Sequence, residues 1–221
     1  MKKLNENQII NIFQTRLGNK KFISEDVEIF TLDKTKVIAK TDTMVQSTDI
    51  PLKMKLSDAA RKSVIACVSD FASKGVKPKY GIISINLPRS ISIKEVENIA
   101  NGFKKACKEY DISIIGGDTN EGKEIVFNVC IFGNSNKIVT RKGSKEGDLI
   151  FTTGAFGYTS LGLDILLNNN KKKNSIIKKS LERVTNPKPK LNYGLKNKKY
   201  FTSSMDSSDG LSTTLNEMSK Q

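Results

Sequence analysis

The sequence predicts an α+β fold in two units, on three observations. Helix-period and strand-period segments follow one another through residues 1–139. The texture then changes, because Thr140–Asp148 is polar and glycine-rich and suits a linker. Beyond the linker stand only two strand-like segments, too few for a stable sheet against their helices. Residues 1–139 are therefore expected to form an N-terminal α/β unit with a mixed or antiparallel sheet. Residues 140–221 are expected to hold the linker and an incomplete α+β unit, because the last helical pattern is still running at Gln221.

Each element has its own warrant. Glu6–Leu17 sets Ile9, Ile10, Ile12, Phe13 and Leu17 at amphipathic helical spacing. Val27–Leu32 and Lys36–Ala39 read as strands joined through the turn-like Asp33–Lys34. Ser57–Asp58 suits a helix N-cap, with the helix running to about Ser73 and stopping at Gly75. Tyr80–Leu87 reads as a strand closed by Pro88, and Ser92–Tyr110 as a helix. Ile112–Ile115 reads as a buried strand that runs into Gly116–Gly117, and Glu124–Phe132 as a further strand. Past the linker, Leu149–Thr153 reads as a strand, Gly157–Leu167 as a helix and Asn168–Asn174 as a loop. Tyr200–Met205 reads as a strand leading into Asp206, and Leu211 opens the last helix. The domain boundary falls near residue 140, and no internal repeat is seen.

Composition narrows the chemistry. The 221 residues carry 37 basic and 23 acidic side chains, a net charge of +14. The lysines are spread along the chain, and the tight run Lys171–Lys173 reads as a solvated loop, so no nucleic-acid partner is expected. The positive charge helps attract polyphosphate anions. Cys67, Cys107 and Cys130 are isolated within apolar segments, as buried thiols of a reducing compartment are. No signal peptide or long apolar run is present, so a cytoplasmic protein without a membrane partner is expected. The chain has no histidine, which removes the usual general base and the commonest zinc ligand. Catalysis must then use carboxylates, lysines, hydroxyls or bound metal.

Five segments share one property: an aspartate just after a strand or at a glycine- or serine-rich helix start. Ser24-Glu25-Asp26-Val27 sets two acids before a strand, as a metal site or as a surface turn. Ala39-Lys40-Thr41-Asp42-Thr43 ends a strand in oxygen ligands that suit Mg²⁺, or in a simple cap. In Cys67-Val68-Ser69-Asp70-Phe71, Asp70 lies at the edge of the buried stripe, where a cation offsets its cost or a lysine pairs with it. Ile114-Ile115-Gly116-Gly117-Asp118-Thr119 offers backbone donors to a phosphate, or is a plain turn. Met205-Asp206-Ser207-Ser208-Asp209-Gly210 brings two acids to a helix N-terminus, as a metal–phosphate site or as a capping sequence. Together they describe a carboxylate-rich, histidine-free site for Mg²⁺–polyphosphate chemistry. No P-loop and no H-R-D motif occurs, so the two familiar kinase designs are excluded.

In this order and spacing, ISEDVEIF, KTDTMV, ARKSVIACVSDFASKGVKP, IIGGDT, TRKGSKEGDLIFTTGAFG, RVTNPKPKLNYG and SMDSSDGLS resemble the thiamine-monophosphate kinases of the AIR-synthetase-like (PurM-like) superfamily. The resemblance covers nearly the whole chain. VSDFASKGVKP, IIGGDT and MDSSDGL are its most specific parts. It implies a PurM-like N-terminal domain and the reaction ATP + thiamine monophosphate → ADP + thiamine diphosphate. It implies Asp26, Thr41, Asp42, Asp70, Asp118 and Asp206 as Mg²⁺ ligands and Asp209 as the ligand of a further Mg²⁺. Gly116, Gly117, Asp118, Arg141 and Ser208 would lie against ATP, and catalysis would centre on Asp42 and Asp70. Transfer would be direct and in line, since an acceptor that is already an anionic phosphate needs no strong base. A homodimer through N-terminal strands is also implied.

The chain departs from the family pattern in places. Glu25 precedes Asp26 where many bacterial members carry a GDD turn. Asp49 stands where many members carry a substrate-touching histidine, so Asp49 is the substrate candidate. The family residues that grip thiamine are expected beyond Gln221. Competing readings are another PurM-like enzyme (aminoimidazole-ribotide synthetase, selenophosphate synthetase or a hydrogenase-maturation factor), a basic nucleic-acid binder and a non-catalytic nucleotide-binding fragment. The selenophosphate reading expects a reactive Cys near the N-terminus, whereas the first Cys is Cys67.

Overall fold

The structure is a computed structural model that describes residues 4–18, 24–168 and 174–221. Its first part contains α1 (Glu6–Arg16), β1 (Glu28–Leu32), β2 (Thr35–Val45), α2 (Gln46–Asp49), α3 (Leu56–Lys74), β3 (Pro78–Leu87), α4 (Ile93–Tyr110), β4 (Ser113–Glu121) and β5 (Val126–Asn134). Four helices follow: α5 (Tyr158–Asn168), α6 (Ser175–Thr185), α7 (Leu191–Asn197) and α8 (Leu211–Ser219).

The strands form one mixed sheet in the order β1-β2-β5-β3-β4. Only β3 and β4 run parallel. Parallel neighbours need a crossover, and α4 supplies it. Helices α3 and α4 cover one face. Ile38, Val129 and Ile131 of the sheet pack there with Val64, Val68 and Phe71 of α3. A second cluster joins Met44 and Phe127 to Ala59, Ala60 and Ile99. The Phe103 ring meets Phe127 edge-on, with centroids 5.3 Å apart. On the other face Tyr80 and Ile82 stand exposed.

The mixed sheet is as expected, but several elements differ. Strand β2 does not end at Ala39. It runs to Val45, because β5 offers a partner at each position from Val37↔Asn134 to Val45↔Val126. Strand β4 is neither buried nor closed by a glycine turn. It is exposed at each position and runs through Gly116–Gly117 to Glu121, because β3 pairs alongside it as far as Leu87↔Glu121. Helix α3 starts at Leu56, and its N-cap Lys55 makes no side-chain cap bond. It stops as expected at Gly75, which adopts the left-handed conformation that ends many helices. The one-turn α2, and α6 and α7, were not anticipated.

Leu149–Thr153 and Tyr200–Met205 are not strands. β-Propensity makes a strand only where a neighbour completes the ladder, and among the described residues neither segment has one. Leu149, Ile150 and Phe151 stand exposed instead. Asn168 closes α5, and the Asn174 side chain caps α6 by accepting from the Ile177 N–H. Lys171–Lys173 lies outside the described residues. Helix α8 ends at Ser219 rather than running through Gln221.

The chain after residue 139 folds back onto the first part. Helix α7 lies on α3 so closely that a Cβ on Gly194 would overlap the Ala72 carbonyl. The Ser204 N–H donates to the Thr140 carbonyl at 2.9 Å.

Phe127→Ala should lower unfolding stability by about 3–5 kcal/mol, the cost of a large cavity in a core. Urea denaturation checks this, and an unchanged midpoint would show that the second cluster does not anchor the sheet.

Candidate active site

The site begins with a buried amine. Asp70 and Lys74 are four residues apart on α3 and so share a face. The Lys74 side chain is fully buried. A charge there must be paired. Its Nζ lies 2.9 Å from Asp26 Oδ2, pairs with Glu25, and donates to the Ser204 carbonyl at 2.8 Å. Arg141 closes the other side. Its Nε donates to Asp26 Oδ1 at 2.7 Å, its backbone N–H to Glu25 Oε2 at 2.8 Å, and its Nη1 to Ser24 Oγ at 3.0 Å. The Ser73 hydroxyl and the Asp206 N–H donate to Asp26 Oδ2 at 2.9 and 3.3 Å. Burial opposes ionisation of Asp26, but the Lys74 ammonium and the Arg141 guanidinium outweigh it and hold its pKa below the ordinary value.

This clasp brings distant acids together. Asp26, Asp70 and Asp206 each place a carboxylate oxygen within 4.8 Å of the others. Burial, reinforced by the charge of Asp206, pushes Asp70 up to about 8 against the pull of Lys40. Burial and the charge of Asp26 likewise raise Asp206. Lys40 Nζ lies 3.0 Å from Asp70 Oδ2 and 3.9 Å from Asp42 Oδ2. Burial raises Asp42 too, with Lys40 opposing. Carboxyls of like charge whose pKa values are all raised mark a site short of positive charge. All-oxygen donors at this spacing fit Mg²⁺. Both oxygens of Asp26 are already taken by cations, and Asp42 stands beside the group, linked to Asp70 through Lys40.

The remaining expected residues are placed as follows. Thr41 alternates with Asp42 along β2 and so points to the opposite face of the sheet. Gly117 lies on the cross-strand row Asp42↔Val129↔Ile83↔Gly117. Three strand spacings separate the ends of that row, roughly 14 Å. The next row, Thr43↔Asn128↔Ser84↔Asp118, faces the other way. Within one chain Asp118 is therefore not brought to the acid cluster; it accepts from Asn120 Nδ2 at 2.7 Å. Gly116 has open space where a Cβ would be, while a Cβ on Gly117 would overlap the Ile83 carbonyl. Glycine at Gly117 thus serves close strand approach. Ser208 and Asp209 are exposed just before α8, whose N-cap is Gly210. Asp49 Oδ2 accepts from the Val45 N–H at 2.7 Å, and Asp49 lines a cavity of about 510 Å³ with Gln46, Met54, Glu124 and Leu163.

Sequence reasoning allowed a lysine beside Asp70 but did not single out Lys40 or Lys74. Their signals were spacing alone: Lys40 is two residues from Asp42 on a strand, and Lys74 one turn from Asp70 on a helix.

Comparison with known proteins adds an independent line. Residues 24–134 match the family model "AIR synthase related protein, N-terminal domain". The thiamine-monophosphate kinase of Nitrosopumilus maritimus is 67% identical over 221 residues, covering 100% of this chain and 70% of that protein. That of Pyrococcus horikoshii is 32% identical over 220 residues, with the same two coverages of 100% and 70%. A solved structure, "AaThiL complexed with AMPPCP and TMP", superposes with a TM-score of 0.91 at 26% identity, covering 100% of this chain and 72% of that one.

The acid pair has a sign-definite pH signature. Asp70 binds a proton on folding, so its contribution to stability is complete below about pH 4 and is lost as pH rises through about 8. In metal-free buffer, thermal melts of Asp70→Asn should therefore gain on wild type as pH rises from about 5 to about 8.5. A difference that stays constant across that window would show that Asp70 titrates normally.

Proposed function

This chain belongs to the thiamine-monophosphate kinase family, and we propose that it phosphorylates thiamine monophosphate from ATP at the cluster of Asp26, Asp70 and Asp206, with Asp42 beside it. The supporting observation is the carboxylate cluster itself: Asp26, Asp70 and Asp206 within 4.8 Å of one another, with Asp42 joined to them through Lys40. The family supplies the substrates, and the cleft supplies the donor set.

Asp42, Asp70 and Asp206 are the residues we assign to hold Mg²⁺. Asp26 serves mainly as the anchor that fixes Asp206 and Arg141. The chemistry a bound Mg²⁺ would supply is neutralisation of charge at the transferring phosphoryl group. The protein's own groups orient: α3 and β2 carry Asp70 and Asp42 on regular elements, and the buried Lys74–Asp26 pair fixes the end of α3. The acceptor is a phosphate oxygen that is already anionic, so in-line transfer needs no histidine. We assign the substrate side to Asp49, because Asp49 and Glu124 set two carboxylates in a largely apolar cavity, an environment suited to a cationic heteroaromatic ring.

We further propose a homodimer through the open sheet face. Phe30, Leu32, Tyr80 and Ile82 leave that face apolar and uncovered. Asp118 lies on the same face, so in a dimer it looks toward the partner. Gly116, Gly117, Arg141, Ser208 and Asp209 remain proposed nucleotide or metal contacts, with Arg141 required to leave Asp26 to reach a phosphate.

Asp42→Asn and Asp70→Asn should each lower kcat/KM for thiamine diphosphate formation on the order of 10²-fold, the loss seen when one preorganised electrostatic group is removed. Wild-type turnover by Asp70→Asn would refute its role. Sedimentation equilibrium should give twice the chain mass, and Ile82→Asp should return it to the monomer mass; a monomeric wild type would end the dimer proposal.

A further inference from the structure

We propose that Lys40 is an internal cation that occupies the place between Asp42 and Asp70 in the metal-free protein and sets how tightly Mg²⁺ binds there. The inference rests on reading Asp42 and Asp70 as Mg²⁺ ligands.

The geometry is specific. Strand alternation puts Lys40 and Asp42 on the same helix-facing side of β2, and Asp70 reaches across from α3. The Lys40 ammonium touches both acids, at 3.0 Å from Asp70 and 3.9 Å from Asp42. The other two cations of the cluster are committed elsewhere. Lys74 is fully buried against Asp26, Glu25 and the Ser204 carbonyl. Arg141 is held by Asp26, Glu25 and Ser24. Lys40 differs from both, because its side chain is 26% exposed and anchored at this end by the acids alone among its ion pairs. An ammonium and a divalent cation seek the same carboxylate oxygens. Entry of Mg²⁺ therefore requires the amine to leave Asp70, and the flexible four-carbon stem lets it swing outward. The released charge then lies at the mouth of the cleft, where a polyphosphate arrives.

Isothermal titration of Mg²⁺ without nucleotide tests this on wild type, Lys40→Gln and Lys40→Arg. Lys40→Gln should bind Mg²⁺ roughly fivefold more tightly, the scale of removing one partly exposed ion pair. Its metal-free form should melt below wild type, and Mg²⁺ should close that gap. Lys40→Arg keeps the competing charge and should bind Mg²⁺ no more tightly than wild type. Unchanged or weaker Mg²⁺ binding by Lys40→Gln overturns the proposal. Should that variant fail to fold, a crystal structure of Mg²⁺-loaded wild type decides: Lys40 Nζ is expected beyond ion-pair distance of Asp70, and an amine still seated on Asp70 beside the metal overturns it. A wild type that takes up no Mg²⁺ removes the metal-ligand reading as well, whereas uptake that is blind to Lys40 removes only this inference.

Discussion

Lys74 is a charged side chain with no solvent contact, and four segments of the chain converge on it or on its partner Asp26: residues 24–26, the end of α3, Arg141 and residues 204–206. Desolvating an ammonium and a carboxylate costs several kcal/mol each. The structure offsets that cost with bonds on both carboxylate oxygens and three partners on the amine. The net gain over an apolar replacement is small by that reckoning. Losing one partner is different, because it leaves the other buried and unpaired at roughly 3–5 kcal/mol. The clasp therefore acts less as glue than as a constraint on geometry. The Asp206 N–H is bonded to Asp26, and its carboxylate lies beside that of Asp70.

The constraint divides the acids into two kinds. Asp26 is saturated with positive charge and stays ionised. Asp70 and Asp206 sit one layer outward, undercompensated and inclined to keep a proton. A chain without histidine is suited to phosphoryl transfer onto an anionic acceptor, which needs no base, and its carboxylates would need only a hard cation. Positioning and charge, rather than proton abstraction, are what the fold provides.

Much of this was legible in the sequence, and what was missed has physical causes. The three acids of the cluster were each flagged by their place, Asp26 before a strand, Asp70 at the edge of a helix stripe and Asp206 at a helix start. Strand β2 was read short because Lys40, Thr41 and Asp42 are polar, yet the ladder to β5 holds them in the sheet. The paired glycines after Ile115 imitate a turn, but their use at Gly117 is to let β4 lie close against Ile83. Leu149–Thr153 had the composition of a strand without a neighbour to pair with. Which lysines pair with the acids was not legible, because a lysine-rich chain offers no compositional contrast. The face on which Asp118 lies followed only from the register of four strands, which no single-strand pattern contains.

The clasp also joins residues 180 positions apart in sequence, Asp26 and Asp206. At synthesis rates of about 5–20 residues per second, Asp26 leaves the ribosome roughly 10–40 s before its last partner. Contacts of such long range form late in folding. All five strands and the two covering helices lie within residues 28–134, and the later chain adds Val184 to their second cluster and Ser204 to the clasp. Through that interval Lys74 lacks the Ser204 carbonyl, the last of its three acceptors to be made. The nascent chain is thus at its most vulnerable where the finished molecule is most enclosed.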